Sequence, residues 1–497
     1  MLRAAKYSLW TMVAGLALVA GSGIRCSSAS AQGPAGLDAA QALENTLTAA
    51  IARADKSVVA IARVRKERPG ETFGLELRPD PFGRRIAPAA SPGPTDPDFV
   101  PNDYATGVII DRQGLILTAY HVLRPESEYY VTTQERRLYR ATVKGADPRS
   151  DLAVLTIEAG GLSPVVFGDA GQLKKGQIVI ALGNPYAIGH DGQASASWGI
   201  VSNLARKAPP IPDDGDPSAA RTLHQFGTLI QTDAKLNLGT SGGALVNLRG
   251  EMVGLTVALA ATVGYEQSAG YAIPIDATFR RVIDTLKEGR EVEYGFLGIR
   301  PVNLSAAELL AGKQGVKVQS VVPGTPAYRY GLQTDDVITA VQGTPISGTD
   351  ALMLELGRMP ADSTARFDVL RNQRPLQVEV LLAKYPVAGK KVVTKPAPSW
   401  RGMRVDFTTA VSNLEVAVAP TNFFGEGVIV TDVEEGKPAW LSGIRPGMRI
   451  SQVDATPVST PKQFRAAVAD KTGPVQLRLA GGSEGPAESV RTVTPGG

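Results

Sequence analysis

Short runs of apolar and β-branched residues, separated by Gly, Pro, Asp or Asn, recur along the chain from Ala105 onward. Residues 107–110, 114–119, 129–133, 152–157, 178–182, 228–231, 244–246 and 252–259 read as strands, because such side chains fit a half-buried pleat and turn residues end it. Their spacing is that of a barrel or sandwich, not of strands alternating with helices. Residues 37–54 have the apolar spacing of a helix and 57–62 that of a first strand. A second helical pattern over 276–288 closes this domain. The stretch 67–103 dissolves into Pro, Gly, Asp and Arg, and a loop of that length inside a compact domain is functional or mobile.

Beyond residue 290 the chain repeats itself. Gly315-Val316-Lys317-Val318, Pro323-Gly324-Thr325-Pro326-Ala327, Gly331-Leu332 and Val337-Ile338 recur as Gly427-Val428-Ile429-Val430, Glu435-Gly436-Lys437-Pro438-Ala439, Gly443-Ile444 and Arg449-Ile450, each pair 112 positions apart. That period is far longer than a solenoid's and marks a duplicated domain of roughly 85–90 residues. The expected organisation is a leader over 1–31, a first domain over 32–290, the two copies over 291–385 and 400–480, a Pro/Lys-rich linker over 386–399, and a disordered Gly/Ser-rich tail over 481–497.

Composition narrows the classes. At 497 residues the chain needs about three domains, and 53 Gly with 35 Pro favour turn-rich, mostly β structure. Much of the +4 charge comes from Arg3, Lys6 and Arg25 in the leader. No basic patch points to nucleic acid. A positive start, an apolar run over 9–20 and Ala29-Ser30-Ala31 as a small-residue cleavage site read as a secretory signal, hence an exported, most naturally periplasmic, protein. The alternative is an uncleaved anchor, disfavoured because the run is shorter than the ~20 residues that span a bilayer; no later segment is long and apolar enough to span. The single cysteine, Cys26, lies in the leader behind Arg25 rather than a small residue. Lipidation there is disfavoured, and the mature chain would have no thiol nucleophile, thiolate metal site or disulfide.

Three histidines, His121, His190 and His224, form no metal-ligand spacing, and no phosphate-binding loop is present, so neither metal nor cofactor is expected. Asn237-Leu238-Gly239-Thr240-Ser241-Gly242-Gly243 is a glycine-rich turn leading into a hairpin. There Gly239 can take a backbone angle other residues resist, letting its N–H and that of Ser241 converge on a substrate carbonyl as an oxyanion hole. His121 ends the apolar strand Leu117-Thr118-Ala119-Tyr120, and Asp151 immediately precedes the strand Leu152-Ala153-Val154-Leu155. Each alone has a bland reading, as a turn serine, a structural histidine and a capping acid. Together, in the order His, Asp, Ser within one domain, they complete a catalytic triad: His121 as general acid/base, Asp151 as its orienter, Ser241 as nucleophile. His190 and His224 are expected to be exposed polar residues.

At this point the sequence resembles the HtrA (Deg) family of exported trypsin-like serine proteases, over most of its length. The likeness rests on Ala105-Thr106-Gly107-Val108-Ile109-Ile110, the three triad segments, Leu182-Gly183-Asn184-Pro185, Gly199-Ile200-Val201-Ser202, Gln231-Thr232-Asp233-Ala234 and Gly270-Tyr271-Ala272-Ile273-Pro274. It departs from the family pattern at Leu238, Thr240 and Ala244, none of which removes a reacting atom. The resemblance implies a chymotrypsin-like double β-barrel, cofactor-free endoproteolysis of unfolded or damaged polypeptides, and trimeric or higher homo-oligomers. The duplicated copies resemble PDZ domains, small α+β barrels. By that likeness Phe296, Leu297, Gly298 and Ile299 form a carboxylate-binding loop that receives a peptide C-terminus; the corresponding Arg401-Gly402-Met403 carries Arg at an apolar position. Two further classes stay open: a chaperone-like peptide-binding scaffold with a latent protease, and a regulatory protease that cuts one substrate. The specificity pocket is expected, by family position, from 234–238 and 256–268, and to admit a small or medium apolar side chain.

Overall fold

The computed structural model describes residues 35–66, 103–184, 192–208, 222–257, 269–410, 427–480 and 489–495. The expected leader, nearly all of the 67–103 loop, His190 and most of the 256–268 loop lie outside the described residues. The chain divides at residue 45 into two units. Of the first, the described part is the beginning of helix α1 (Ala35–Ala54), in which Gln41 donates to Asn45. All other elements belong to the unit formed by 46–497.

Strands β1 (Val58–Arg65), β2 (Asp103–Ile109), β3 (Leu115–Ala119), β4 (Ser127–Thr132), β5 (Leu138–Asp147) and β6 (Leu152–Ile157) close an antiparallel ring in the order β5-β4-β1-β2-β3-β6, with β6 returning to β5. Both faces of β1 are buried: Val59 and Ile61 point into the barrel with Ile109, Ile116 and Leu155, while Val58 faces a second core. A second closed barrel runs β10-β11-β12-β9-β8-β7, from β7 (Ile178–Gly183), β8 (Ser195–Arg206), β9 (Leu229–Thr232), β10 (Ala244–Val246), β11 (Met252–Val257) and β12 (Gly270–Pro274). Closure leaves neither sheet an open edge.

Between the barrels lies a shared core that includes Leu117, Leu152, Ile180, Leu182, Val246 and Leu255. Each such side chain contributes about 1.5–3 kcal/mol by leaving water. Helix α2 (Ala277–Lys287) covers it. The Asp276 side chain accepts from the Phe279 N–H as N-cap, and Phe279, Val282, Ile283 and Leu286 form the buried stripe of an amphipathic helix.

Next come β13 (Gly295–Phe296), β14 (Ile299–Asn303), β15 (Val316–Val321), β16 (Val337–Val341), β17 (Thr344–Pro345), helix α3 (Thr349–Arg358), β18 (Thr364–Arg371), β19 (Arg374–Leu381) and β20 (Ala383–Lys384). The main sheet is ordered β14-β15-β16-β18-β19. After β21 (Val392–Val393), the second copy repeats the design with β22 (Met403–Phe407), β23 (Val428–Val433), β24 (Arg449–Val453), β25 (Thr456–Pro457), helix α4 (Pro461–Val468), β26 (Val475–Ala480) and β27 (Ser489–Val493). Its order is β22-β23-β24-β26-β27. Val316 pairs with Ile338 in one sheet and Val428 with Ile450 in the other, so the sequence period is a register period.

Two expectations need correction. The tail is not wholly disordered: Ser489–Val493 forms β27 and pairs along β26, Val493 opposite Val475. Its β-branched residues supply the partner that β26 would otherwise lack on that side. The connecting segment over 386–399 is not a free tether either. Within it β21 pairs with β5, Val392 opposite Ala146, and Thr394 Oγ1 donates to the Lys144 carbonyl at 2.7 Å. The Tyr120 hydroxyl donates to the Lys390 carbonyl, so this strap reaches the neighbour of His121. Among the described residues no helix is long and apolar enough to cross a membrane.

Candidate active site

Ala119 at the end of β3 lies opposite Leu152 at the start of β6, so the residues just beyond these ends are bound to meet. His121 sits in the 3-10 turn Tyr120–Val122. Asp151 holds φ +56°, a left-handed conformation that Asp tolerates better than most residues. The Tyr120 N–H donates to the Asp151 carbonyl at 2.9 Å. The His121 N–H donates to Asp151 Oδ1 at 2.9 Å, and ring Nδ1 lies 2.8 Å from Oδ2. One carboxylate thus grips both the backbone and the ring of the same residue. An ionised carboxylate only accepts, so Nδ1 carries the proton and Nε2 is the basic nitrogen.

Burial pushes the His121 ring down and the Asp151 carboxyl up, yet in each case the partner's charge and hydrogen bond outweigh it. His121 ends above the usual histidine value and Asp151 below the usual carboxylate value. The Asp151 side chain is 9% exposed and that of His121 38%, so the ring stays reachable beside a shielded partner.

The turn ahead of Asp151 is held from several sides. Asp147 accepts from the Ser150 N–H at 2.9 Å, from the Ser150 hydroxyl at 2.6 Å and from the Tyr294 hydroxyl. Burial raises the Asp147 carboxyl and, with Asp147 beside it, lifts the Tyr294 phenol well above its usual value. The Arg149 guanidinium stacks 3.6 Å from the Tyr385 ring centre and 5.3 Å from that of Tyr294. Sequence reasoning missed these residues; the available signal was an acid and an arginine packed into the four positions before Asp151.

His224, expected to be an exposed polar residue, is 2% exposed. Its Nε2 lies 3.0 Å from the Ser150 carbonyl and its Nδ1 2.6 Å from Thr228 Oγ1, and the ring stacks on Phe279. These partners satisfy both nitrogens, so the ring can be buried. Burial depresses its basicity. The unfolded chain takes up this proton near pH 6.5 and the folded chain only at lower pH. Stability from His224 is therefore complete above that value and falls with acidification, by up to ~1.4 kcal/mol per pH unit. His224→Gln is expected to lose less stability than the wild type between about pH 7 and pH 5, read as the difference of their denaturation curves.

Ser241 lies in a turn bonded to the first barrel. Its carbonyl accepts from the Thr106 N–H at 3.0 Å, and Thr106 Oγ1 donates to the Gly239 carbonyl at 2.7 Å. Thr118, three residues before His121, donates to the Thr106 carbonyl at 2.8 Å, so the Ser241 turn and the His121 strand share Thr106. Gly239 and Gly242 have φ of +90° and +86°. A Cβ on Gly242 would lie 2.1 Å from the Thr106 carbonyl oxygen, so only glycine fits. Thr240 staples the turn through its hydroxyl to the Asn237 carbonyl at 2.6 Å, and its own carbonyl accepts from Thr256 Oγ1 at 2.6 Å.

Residues 105–255 match the trypsin-like peptidase domain and 295–382 the PDZ domain. The chain is 30% identical over 373 residues to the probable periplasmic serine endoprotease DegP-like of Chlamydia trachomatis, covering 74% of this chain and 70% of that one. This chain belongs to the DegP-like, HtrA-type family of serine endoproteases. It is also 30% identical to the periplasmic serine endoprotease DegP of Salmonella typhimurium, across 76% of this chain and 74% of the relative. Among solved structures, the HtrA-type protease AlgW with decapeptide aligns at TM-score 0.51 and 26% identity, covering 68% of this chain and 98% of that one. The protein is thus a serine endopeptidase with a chymotrypsin-like pair of barrels and a PDZ domain behind them.

In this DegP-like chain the Phe296-Leu297-Gly298-Ile299 loop is anchored by its carbonyls. Leu297 accepts from the Ala327 N–H at 2.9 Å and Gly298 from the Val322 N–H at 3.0 Å. Carbonyl and following N–H point oppositely in a trans peptide, so the Gly298 and Ile299 N–H groups face away from these anchors. The second copy keeps the same anchors, Arg401 accepting from Ala439 and Gly402 from Glu434. There, however, the Met403 N–H closes back on the Trp400 carbonyl at 3.0 Å, and the Arg401 guanidinium caps the carbonyls of Lys471, Gly473 and Val493.

Proposed function

We propose that Ser241 is the nucleophile, His121 the general base and then acid, and Asp151 the residue that orients and charge-stabilises the His121 ring. The observation that carries this reading is the double hold of Asp151 on His121, together with a Ser241 turn bonded to Thr106, which the His121 strand also grips through Thr118. His121 Nε2 takes the Ser241 proton as Oγ attacks the scissile carbonyl, then returns it to the leaving amine. The N–H groups of Gly239 and Ser241 receive the oxyanion, where one donor is worth about 2.7–4 kcal/mol. Leu236 lies against Gly270 and supports an apolar specificity wall, hence cleavage after small or medium apolar residues.

The substrates we infer are unfolded or damaged exported polypeptides, with the first PDZ domain receiving peptide C-termini on the Gly298 and Ile299 N–H groups. The second copy, by its strand order and 112-residue period, is a second PDZ domain; the closed Met403 N–H and the engaged Arg401 favour a scaffold role for it. Export to the periplasm draws support from the leader pattern and the names of the relatives, and homo-oligomeric assembly from the family resemblance. Because Asp151 holds the His121 ring above its usual value, the acid limb of kcat/KM is expected above pH ~6.5, and an acid optimum would contradict a neutral-histidine base.

The deciding experiment compares the purified chain with Ser241→Ala on a reductively unfolded protein, each with and without a C-terminal apolar peptide. Cleavage absent only in the variant supports the nucleophile, and stimulation by the peptide supports a regulatory first PDZ domain. No cleavage by either form, with aggregation still suppressed, replaces this reading with a chaperone-like scaffold.

A further inference from the structure

We propose that His224 is a positioning residue for the triad: by holding the Ser150 carbonyl from behind, it fixes the peptide plane from which Asp151 is aimed at His121. The inference rests on the triad assigned above.

The carbonyl of Ser150 can only accept, so His224 Nε2, 3.0 Å away, carries the proton. Nδ1 then accepts from the Thr228 hydroxyl at 2.6 Å. Both nitrogens are committed, so the ring is a strut and not a second base. It cannot retreat, because Phe279 stacks behind it at 5.8 Å between ring centres and 21° between planes. The neighbouring Leu223 N–H holds the Arg149 carbonyl at 2.8 Å. Two successive residues of one buried 3-10 turn therefore hold two successive carbonyls, and these directly precede Asp151.

What this clamp acts on is the backbone rotation of Asp151. Its φ of +56° is a left-handed conformation that non-glycine residues adopt only where the surrounding structure holds them in it. The Ser150–Asp151 peptide is one side of that rotation. Released from His224, the plane can relax and swing the carboxylate away from Nδ1 of His121. A displacement of this kind, remote from the reacting atoms, can cost on the order of 100-fold in rate. The charged or titratable groups around the ring are Asp151 and His121 in front and Asp147 and Arg149 along the same turn.

The test uses the full chain with His224→Leu, which deletes the strut, and His224→Gln, whose Nε2 amide can still donate to Ser150. Thermal melting reports folding, and a peptide substrate gives kcat and KM separately. Titration of the His121 ring by NMR, in a Ser241→Ala background, is tractable because the chain has only 3 histidines. His224→Leu is expected to lower kcat about 10–100-fold with KM nearly constant, and to lower the His121 titration midpoint because Asp151 no longer holds it up. His224→Gln is expected to recover most of both. Wild-type kcat in His224→Leu, or a loss of kcat with an unmoved His121 midpoint, overturns the proposal. If His224→Leu does not fold, Thr228→Val decides in its place, since it removes the hydroxyl that anchors the ring at Nδ1 and so loosens its hold on Ser150; it should lower both readings, and unchanged values overturn the proposal. Full activity in Asp151→Asn would instead defeat the triad reading itself, whatever His224 does.

Discussion

Asp151→Asn is expected to lower kcat by about four orders of magnitude while leaving KM and the fold close to wild type. The site presents Asp151 with two donors, the His121 N–H and the protonated Nδ1. An asparagine can accept the first through its carbonyl oxygen but then turns its amide hydrogens toward Nδ1. Nδ1 must become an acceptor, so the proton moves to Nε2, and the nitrogen that should take the Ser241 proton is blocked. The charge that stabilises the imidazolium is lost as well. Single-turnover cleavage of a peptide substrate measures the effect, and activity within about tenfold of wild type would remove Asp151 from the mechanism.

Lys384→Ala is expected to destabilise the protein by about 3–5 kcal/mol, most strongly at the junction of the first and second copies. Lys384 is 2% exposed, with its ammonium 2.6 Å from Asp406, 2.9 Å from Glu291 and 3.5 Å from Glu293. Burial alone would pull its pKa down, but the three carboxylates hold it well above that of an ordinary lysine. Asp406 lies on β22 of the second copy, whereas Glu291 and Glu293 precede β13 of the first. Without the ammonium, three carboxylates crowd together with only Lys391 beside Glu291. Denaturant unfolding should show the loss, with the second copy separating as an earlier transition. A change below about 1 kcal/mol would mean that the acids find water or protons at no cost.

The His121–Asp151 contact and the Ser241 turn were legible as candidates because these residues sit at or near the ends of strands with strong apolar signatures. Residues 152–157 and 244–246 are strands at the expected bounds, and strand ends are where a barrel exposes side chains. The duplication was legible because Gly and Pro punctuation survives in both copies. What escaped were features defined by partners distant in sequence. Strand β8 carries Ser, Asn and Arg through Ser195–Arg206 and buries few of them, so no alternation announces it; β5 hides similarly behind Lys144 and Gly145. His224 looks like a surface residue until Ser150, 74 positions away, supplies a buried acceptor. Arg149 lies two residues from Asp151 in sequence, yet its aromatic partner Tyr385 comes from beyond the PDZ domain.

The strap of residues 390–395 bears on how this protein can be cut into pieces. The Lys395 N–H donates to the Gly289 carbonyl at 2.9 Å, and the Thr394 hydroxyl is so close to Gly289 that a Cβ there would lie 2.1 Å from it. With β21 paired to β5, the segment that joins the two copies is also part of the catalytic domain's wall. Excision at the boundary suggested by the repeat, just after residue 385, would take this wall away and bare the backbone donors and acceptors of Gly145 and Ala146. A soluble, active fragment should instead extend to about residue 396, so the shortest self-sufficient protease here is longer than its own homology boundary.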